Sequence, residues 1–335
     1  MRGSDVIIKS RRHLIEGLSI EPKTADEGGC GVIGAASSVP IEGRHFFTAL
    51  EQMRNRGNGK GGGVAMLGLS APRLGVSEEV LAQNYIVQVA YLDKSVRPDV
   101  EAEFIRPCFI VDHEQAVPPV EHWRDFGLEV EPPYVHRYFC RIKPETLTAF
   151  AAKHGLSEAV AQDEFIFQNT YALHKKYYAS LGEKKALVLS HGKNLLVFKI
   201  VGYGEDAMRC YGLENEPAHI WIGHHRYPTK GRLWHPGGAH PFIGVNEALV
   251  HNGDFSNYHA VSEYLAQRNI YPLFLTDTEV SVYLFDLWRR VYGYPMEHVI
   301  EALAPTTERD FYMLDEHKRK IYKEIQTAHV HGSPD

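Results

Sequence analysis

No stretch of the chain reaches the roughly 18 consecutive apolar residues that a membrane-spanning helix needs. The first 29 residues start basic but lack the apolar centre of a secretory signal, and they read as an extension or propeptide. Cysteine is scarce: Cys30, Cys108, Cys140 and Cys210 are scattered and form no CxxC pair. That usage fits a reducing cytoplasm rather than a disulfide scaffold, and no cysteine cluster is present to hold an iron–sulfur centre. A dinucleotide fingerprint is absent too. Basic charge is in deficit, with 36 Lys+Arg against 42 Asp+Glu and a net charge of −6, which excludes the electrostatic footprint of a nucleic-acid binder. Nineteen histidines invite a metal reading. His224 and His225 are adjacent, however, and on a strand they point to opposite faces, so no metal site is expected.

What remains is the composition of an ordinary globular protein, 44% hydrophobic and 23% charged, long enough for one large domain or two. CGVIGAASS, from Cys30, reads as a buried strand that stops before Pro40. In Arg44–Arg54, Phe46, Phe47, Leu50 and Met53 recur at helical spacing, and the helix ends in the glycine-rich run RNRGNGKGGG. Residues from about 78 to 182 alternate strand and helix segments irregularly, as an α+β insertion does. ETLTAFAAKHGL reads as a helix stopped at Gly155, and DEFIFQNTYALHKKYYASLG as a longer helix ending at Gly182. ALVLSHG and NLLVFKIVG then read as a hairpin turned at Gly192–Asn194, followed by the strand HIWIGHHRY. TDTEVSVYLFDLWRRVYG reads as a helix opened by a capping Thr or Asp, with Val280, Tyr283, Leu284 and Leu287 on one stripe.

Four short segments have residue types suited to one chemistry. A cysteine between glycines, Cys30 in GGCGVIG, can be a thiol nucleophile where the backbone approaches closely, or simply a buried cysteine. Arg226 in HHRYPTKG can fork onto a carboxylate, or serve as a surface ion-pair partner. Asn252 and Gly253 in HNGDFSNY can donate to a developing oxyanion, and Asn-Gly is equally a hairpin turn. Asp277 in TDTE can receive an ammonium group or cap a helix.

In this order the segments resemble the glutamine-hydrolysing domain of the class II, N-terminal-nucleophile glutamine amidotransferases, over about 30–68 and 219–290. The resemblance implies an α+β fold, a four-layer αββα Ntn-hydrolase sandwich, with residues 30–335 forming the amidotransferase domain. It implies Cys30, Asn252 and Gly253 as catalytic groups. Substrate contacts would fall to Arg226, Tyr227, Thr229, His240 and Asp277, with Arg56 and Gly57 at the pocket edge, where Asn55 stands in place of a frequent His. The expected reaction turns L-glutamine into L-glutamate and ammonia through a thioester on Cys30.

In that family the base is the nucleophile's own α-amino group, so residues 1–29 would have to be removed. RYFCRIKPETL and DEFIFQNTYALHKKYY look like the separate amidotransferase subunit of archaeal-type glutamate synthases and N-methylglutamate synthases. The implied partner is a synthase with FMN and iron–sulfur centres, in a hetero-oligomer, and this chain itself would hold no cofactor or metal. The sequence also ends, at HVHGSPD, about where the family continues into further strands, so truncation or completion by a partner is expected. The alternatives are a non-catalytic glutamine-binding or regulatory subunit of the same fold, which the intact set Cys30, Arg226, Asn252, Gly253 and Asp277 opposes, and a glutaminase serving a different acceptor, against which the long insertion counts.

Overall fold

The computed structural model describes residues 29–227, 235–253 and 257–328. Strands Gly31–Glu42 (β1), Gly62–Leu69 (β2), Leu195–Ile200 (β7) and Pro217–His225 (β8) form one antiparallel sheet in the order β1–β8–β2–β7. Strands Tyr85–Tyr91 (β3), Phe109–Val117 (β4), Tyr134–Ile142 (β5) and Ala186–Ser190 (β6) form a second, ordered β4–β5–β3–β6. Phe242–Ile243 (β9) pairs with Ala248–Leu249 (β10). The helices are Gly43–Gln52 (α1), Glu78–Gln83 (α2), Arg97–Val100 (α3), Pro144–His154 (α4), Glu158–Tyr177 (α5) and Gly204–Tyr211 (α6). Tyr258–Ala266 (α7), Asp277–Asp286 (α8), Met296–Leu303 (α9), Glu308–Phe311 (α10) and Glu316–Ala328 (α11) follow. The class is α+β, and residues 78–182 supply three of the four strands of the second sheet.

Side-chain alternation assigns each sheet face its partner. On β3, Tyr85, Val87, Val89 and Tyr91 pack with Ile166, Leu173 and Tyr177 of α5, while Ile86 and Ala90 join the larger core with β2, β7 and β8. Gln88, fully buried between them, donates from Nε2 to the Val197 carbonyl of β7 at 2.6 Å. The outer face of the first sheet is covered by α1, where Phe46 stacks on Trp221 at 5.5 Å. A Cβ on Gly223 would lie 2.7 Å from Leu50, so this strand needs glycine for the helix to approach.

Several local expectations are corrected. β1 is an edge strand that continues through Pro40, because a strand edge needs no donor on its open side. The glycine–asparagine turn after β6 is formed, with Asn194 at φ 56°. Its two strands nevertheless do not pair: β6 adds to β3 and β7 to β2, since each finds a partner that extends its own sheet. The helix expected to reach Gly182 stops at Tyr177, where Tyr178 turns extended and bridges Lys184. Gly155, at φ +66°, ends α4 as expected. On α8, Val280, Tyr283 and Leu284 are buried, as is Leu287 just beyond it. Thr278, Glu279, Ser281 and Asp286 are also buried, so this helix is enclosed on all sides.

Six buried histidines give the fold a defined acid response. Burial holds His136, His191 and His235 down at about 4, holds His174 and His224 at about 3, and pushes His240 well below its ordinary value. In the unfolded chain they titrate near ~6.5. Below that pH the unfolded chain takes up protons that the folded one refuses, so stability falls with pH. Glu247 and Glu279, raised to about 7 by burial, act in the opposite direction and are outnumbered six to two. Urea unfolding midpoints should therefore drop steadily from about pH 7 to pH 5. A midpoint that stays flat or rises would show that these imidazoles are not held neutral.

Candidate active site

Cys30 stands one residue before β1, and the register Gly31 opposite His225 sets it beside the segment that leaves β8. Tyr227 is 197 residues away in sequence, yet its backbone N–H donates to Cys30 Sγ at 3.3 Å. The thiol in turn lies 3.9 Å from the Tyr227 carbonyl. Burial raises the pKa of this half-buried thiol, opposed by the Tyr227 N–H and by the positive charge of Arg226, while Asp277 adds to the rise. Two segments thus meet at one sulfur, within range of the charge on Asp277. A thiol held protonated in this way needs a proton acceptor before it can attack.

Arg226 is fixed by its backbone. Its N–H donates to Gly61 O at 2.8 Å, and its carbonyl accepts from Asn58 N–H at 3.3 Å, so the glycine-rich loop after α1 grips the end of β8. Its side chain runs past two glycines. A Cβ on Gly61 would sit 3.2 Å from its Cδ, and one on Gly238 would sit 2.9 Å from Nη1. Burial lowers the guanidinium pKa, and Cys30 and Asp277 oppose that shift. Arg56 follows the backbone around Cys30: its Nη2 is 3.3 Å from a Cβ built on Gly29, and its Cβ is 3.0 Å from one built on Gly31. Gly57 has no room for a side chain, since a Cβ there would meet His225 at 2.7 Å.

The side chain of Asn252 is at the same place, with Oδ1 4.0 Å from the Cβ position of Gly29. Its segment is tied down by histidines. His224 stacks on His240 at 4.0 Å and 21°, and its Nε2–H donates to the His251 carbonyl at 3.0 Å. The His251 N–H reaches His240 Nδ1 at 3.3 Å, which leaves His240 Nε2 as the donor to Thr278 Oγ1 at 3.0 Å. Thr278 also turns to Asp277, with its N–H 2.8 Å and its hydroxyl 3.3 Å from Oδ1. His251 Nδ1 lies 3.8 Å from Asp277 Oδ2. The chain of contacts fixes Asn252 relative to Asp277. His240 is therefore buried with both ring nitrogens occupied.

The cap of α8 is Thr276, whose hydroxyl accepts from Glu279 N–H at 3.1 Å. Asp277 is thus the first helical residue, 26% exposed, at the positive end of the helix dipole. Gly253 is exposed beside Asn252, and Thr229 lies outside the described residues. Cavities of 270 Å³ and 1000 Å³ occur elsewhere and contain none of these residues. Among the described residues no group of three or more His, Cys, Asp or Glu could hold a metal ion, and no helix is long and apolar enough to cross a membrane.

Sequence reasoning named Tyr227 as a lining side chain and missed its backbone N–H, for which residue identity gives no signal. It also missed the roles of His224 and His251. The paired histidines at 224 and 225 were visible, but which ring faces His240 depends on strand register. His225 points the other way, accepting from Gly204 N–H at 3.0 Å and donating to Leu50 O at 2.9 Å. Beside it, Glu205 is fully buried and bonds Arg54.

An antiparallel α+β fold that brings a guanidinium and a carboxylate near one thiol is accompanied by partial relationship to the glutamine amidotransferases. The chain is 36% identical over 107 residues, 32% of its length, to the isomerizing glutamine–fructose-6-phosphate aminotransferase of Campylobacter jejuni. It is 27% identical over 139 residues, 38% of its length, to the glutamine amidotransferase-like protein GlxB of Rhizobium meliloti. These stretches span 18% and 46% of those two proteins. Over almost all of its length, the chain belongs to the family of an uncharacterized protein of Archaeoglobus fulgidus. The two are 30% identical over 304 residues, 90% of this chain and 73% of that protein. No family model matches the chain.

Proposed function

We propose that this protein is a glutaminase of the N-terminal-nucleophile class, converting L-glutamine and water into L-glutamate and ammonia. The observation that carries the reading is the Tyr227 N–H on Cys30 Sγ, which sets the thiol beside the Arg226 segment, with Asp277 near enough for its charge to act there. Arg226 takes the substrate's α-carboxylate through a planar fork, and Asp277 takes its α-ammonium. Cys30 Sγ then attacks the amide carbon. Asn252 and Gly253 donate to the oxygen that becomes negative. The thiol proton passes through a base to the amide nitrogen, ammonia leaves, and water cleaves the γ-glutamyl thioester to regenerate the thiol.

Among the described residues, the hydrogen-bond partners of Sγ are the backbone N–H and carbonyl of Tyr227, neither of which is a base near neutral pH. That arrangement supports the α-amino group of Cys30 as the base, since its pKa near ~7.7–8.0 suits proton transfer at working pH. It requires removal of residues 1–29. Tyr227 and Thr229 line the pocket, Arg56 and Gly57 form its rim, and His240 braces Asn252 against Asp277. The four-layer Ntn-hydrolase sandwich belongs to the same reading. So do a cytoplasmic setting and a hetero-oligomer in which ammonia passes to a glutamate synthase-type subunit carrying FMN and iron–sulfur centres.

The test begins with the intact mass and N-terminal sequence of the purified chain, followed by glutamate release from a form that starts at Cys30. Release from that form, and none from the full-length chain, is the expected result. A Cys30-terminated chain that folds but neither binds nor hydrolyses glutamine would overturn the proposal.

A further inference from the structure

We infer that Glu279 is a positioning residue for the substrate ammonium, acting through Asp277 by holding residues 273–275 in a conformation they would otherwise leave. The inference rests on the glutaminase reading, because it takes Asp277 as the ammonium's partner. Glu279 is 1% exposed, and its carboxylate accepts three consecutive backbone N–H groups, from Leu273 at 2.6 Å, Phe274 at 2.9 Å and Leu275 at 3.1 Å. A buried carboxylate with three backbone donors fixes a loop more tightly than a neutral acceptor does, because each hydrogen bond is charge-assisted.

The loop needs that restraint. Leu275 is at φ +58°, the left-handed region disfavoured for a residue with a side chain, and its own side chain is 51% exposed. Packing of Leu275 therefore does not account for its conformation. The donors to Glu279 do, since they are its own amide and the two before it, and on the other side Thr276 caps the helix through the Glu279 N–H. Asp277 follows immediately, so a rotation at Leu275 swings its carboxylate relative to Arg226.

A buried cation accompanies the buried acid. Lys199 of β7 is 4% exposed, with Nζ 4.2 Å from the ring centre of Phe242 and 5.8 Å from that of Phe274. Glu279 and Lys199 are near enough to shift one another, and burial drives both towards about 7. Glu279 is thus placed among a lysine, two aromatic rings and a strained loop, one helical residue pair away from the carboxylate that faces the substrate.

The test uses the chain beginning at Cys30 and compares Glu279→Gln with the double variant Leu275→Gly/Glu279→Gln. Glycine adopts positive φ freely, so it removes the need for restraint. Glu279→Gln is expected to raise KM for glutamine about tenfold or more with kcat within about twofold, in line with lost ground-state binding. The added Leu275→Gly should recover most of the KM. In an Asp277→Asn background Glu279→Gln should add less than about a further twofold, because the group it positions is gone.

An unchanged KM in Glu279→Gln, a rise that Leu275→Gly leaves untouched, or a full additional loss in Asp277→Asn would each overturn the inference. Should Glu279→Gln alone fail to fold, the double variant decides: it folds and binds if the inference holds, and a double variant that stays unfolded also overturns it. Failure of the parent chain to bind or hydrolyse glutamine is a separate outcome that removes the glutaminase reading and this inference together. An active parent with an indifferent Glu279 removes the inference alone.

Discussion

On the proposed mechanism, replacing Cys30 by alanine should abolish glutamate release, with an expected loss on the order of 10⁴-fold or more, because deleting the nucleophile leaves no substitute. Glutamine binding should survive. The side chain being removed is a small thiol whose contacts are the N–H and carbonyl of Tyr227, and neither Arg226 nor Asp277 depends on it for position. Arg226 is set by Gly61 and Asn58, and Asp277 by Thr278 and the start of α8. Calorimetry on Cys30→Ala should therefore give a glutamine affinity close to that implied by KM of the parent. Residual hydrolysis within about tenfold of the parent would take Cys30 out of the mechanism. Loss of binding along with hydrolysis would mean that the thiol holds the pocket together.

Arg226→Lys should weaken glutamine binding by about 2–3 kcal/mol, roughly 30- to 150-fold in KM, while kcat changes far less. Charge is kept by this change, so the loss measures geometry. A guanidinium presents two parallel donors to a carboxylate, whereas an ammonium is a compact point charge. The environment sharpens the difference. Arg226 lies against Gly61 and Gly238, and burial already opposes its charge. A lysine there would have to be desolvated without the fork that offsets the cost. KM measured with glutamine and with an amide that lacks the α-carboxylate separates the effects. The truncated amide should be indifferent to Arg226→Lys. Equal sensitivity of both compounds would place the arginine's role elsewhere.

Both predictions concern residues already visible in the linear sequence, and that is no accident of the site. A cysteine between glycines, an arginine after a strand, an Asn-Gly pair and an acidic residue at a helix start are each local signals, and their order along the chain linked them. Helices were legible for the same reason. The stripe on α8 and the stop at Gly155 depend on neighbours three or four residues apart, which sequence displays directly.

Strand partnership was not legible. The hairpin expected between β6 and β7 has the right turn residues, yet the two strands diverge into separate sheets, because pairing is decided by which distant strand offers a ladder. Likewise, β1 was read as buried from its small apolar residues, and its place at the sheet edge became clear only with β8 beside it.

By itself, then, the sequence determined which residue types could perform the chemistry, where several of the helices lie, and the absence of any long apolar run. Those features depend on covalent identity and short-range periodicity. Only the tertiary structure decided which groups touch. It set the Tyr227 N–H on the sulfur of Cys30, and it turned His224 towards His240 and His225 away. It also bound the carboxylate of Glu279 to three amides of the loop before α8. Backbone donors carry no residue label, and the facing of a strand side chain follows from register. Both are fixed by contacts between segments up to 197 residues apart, which no local pattern records.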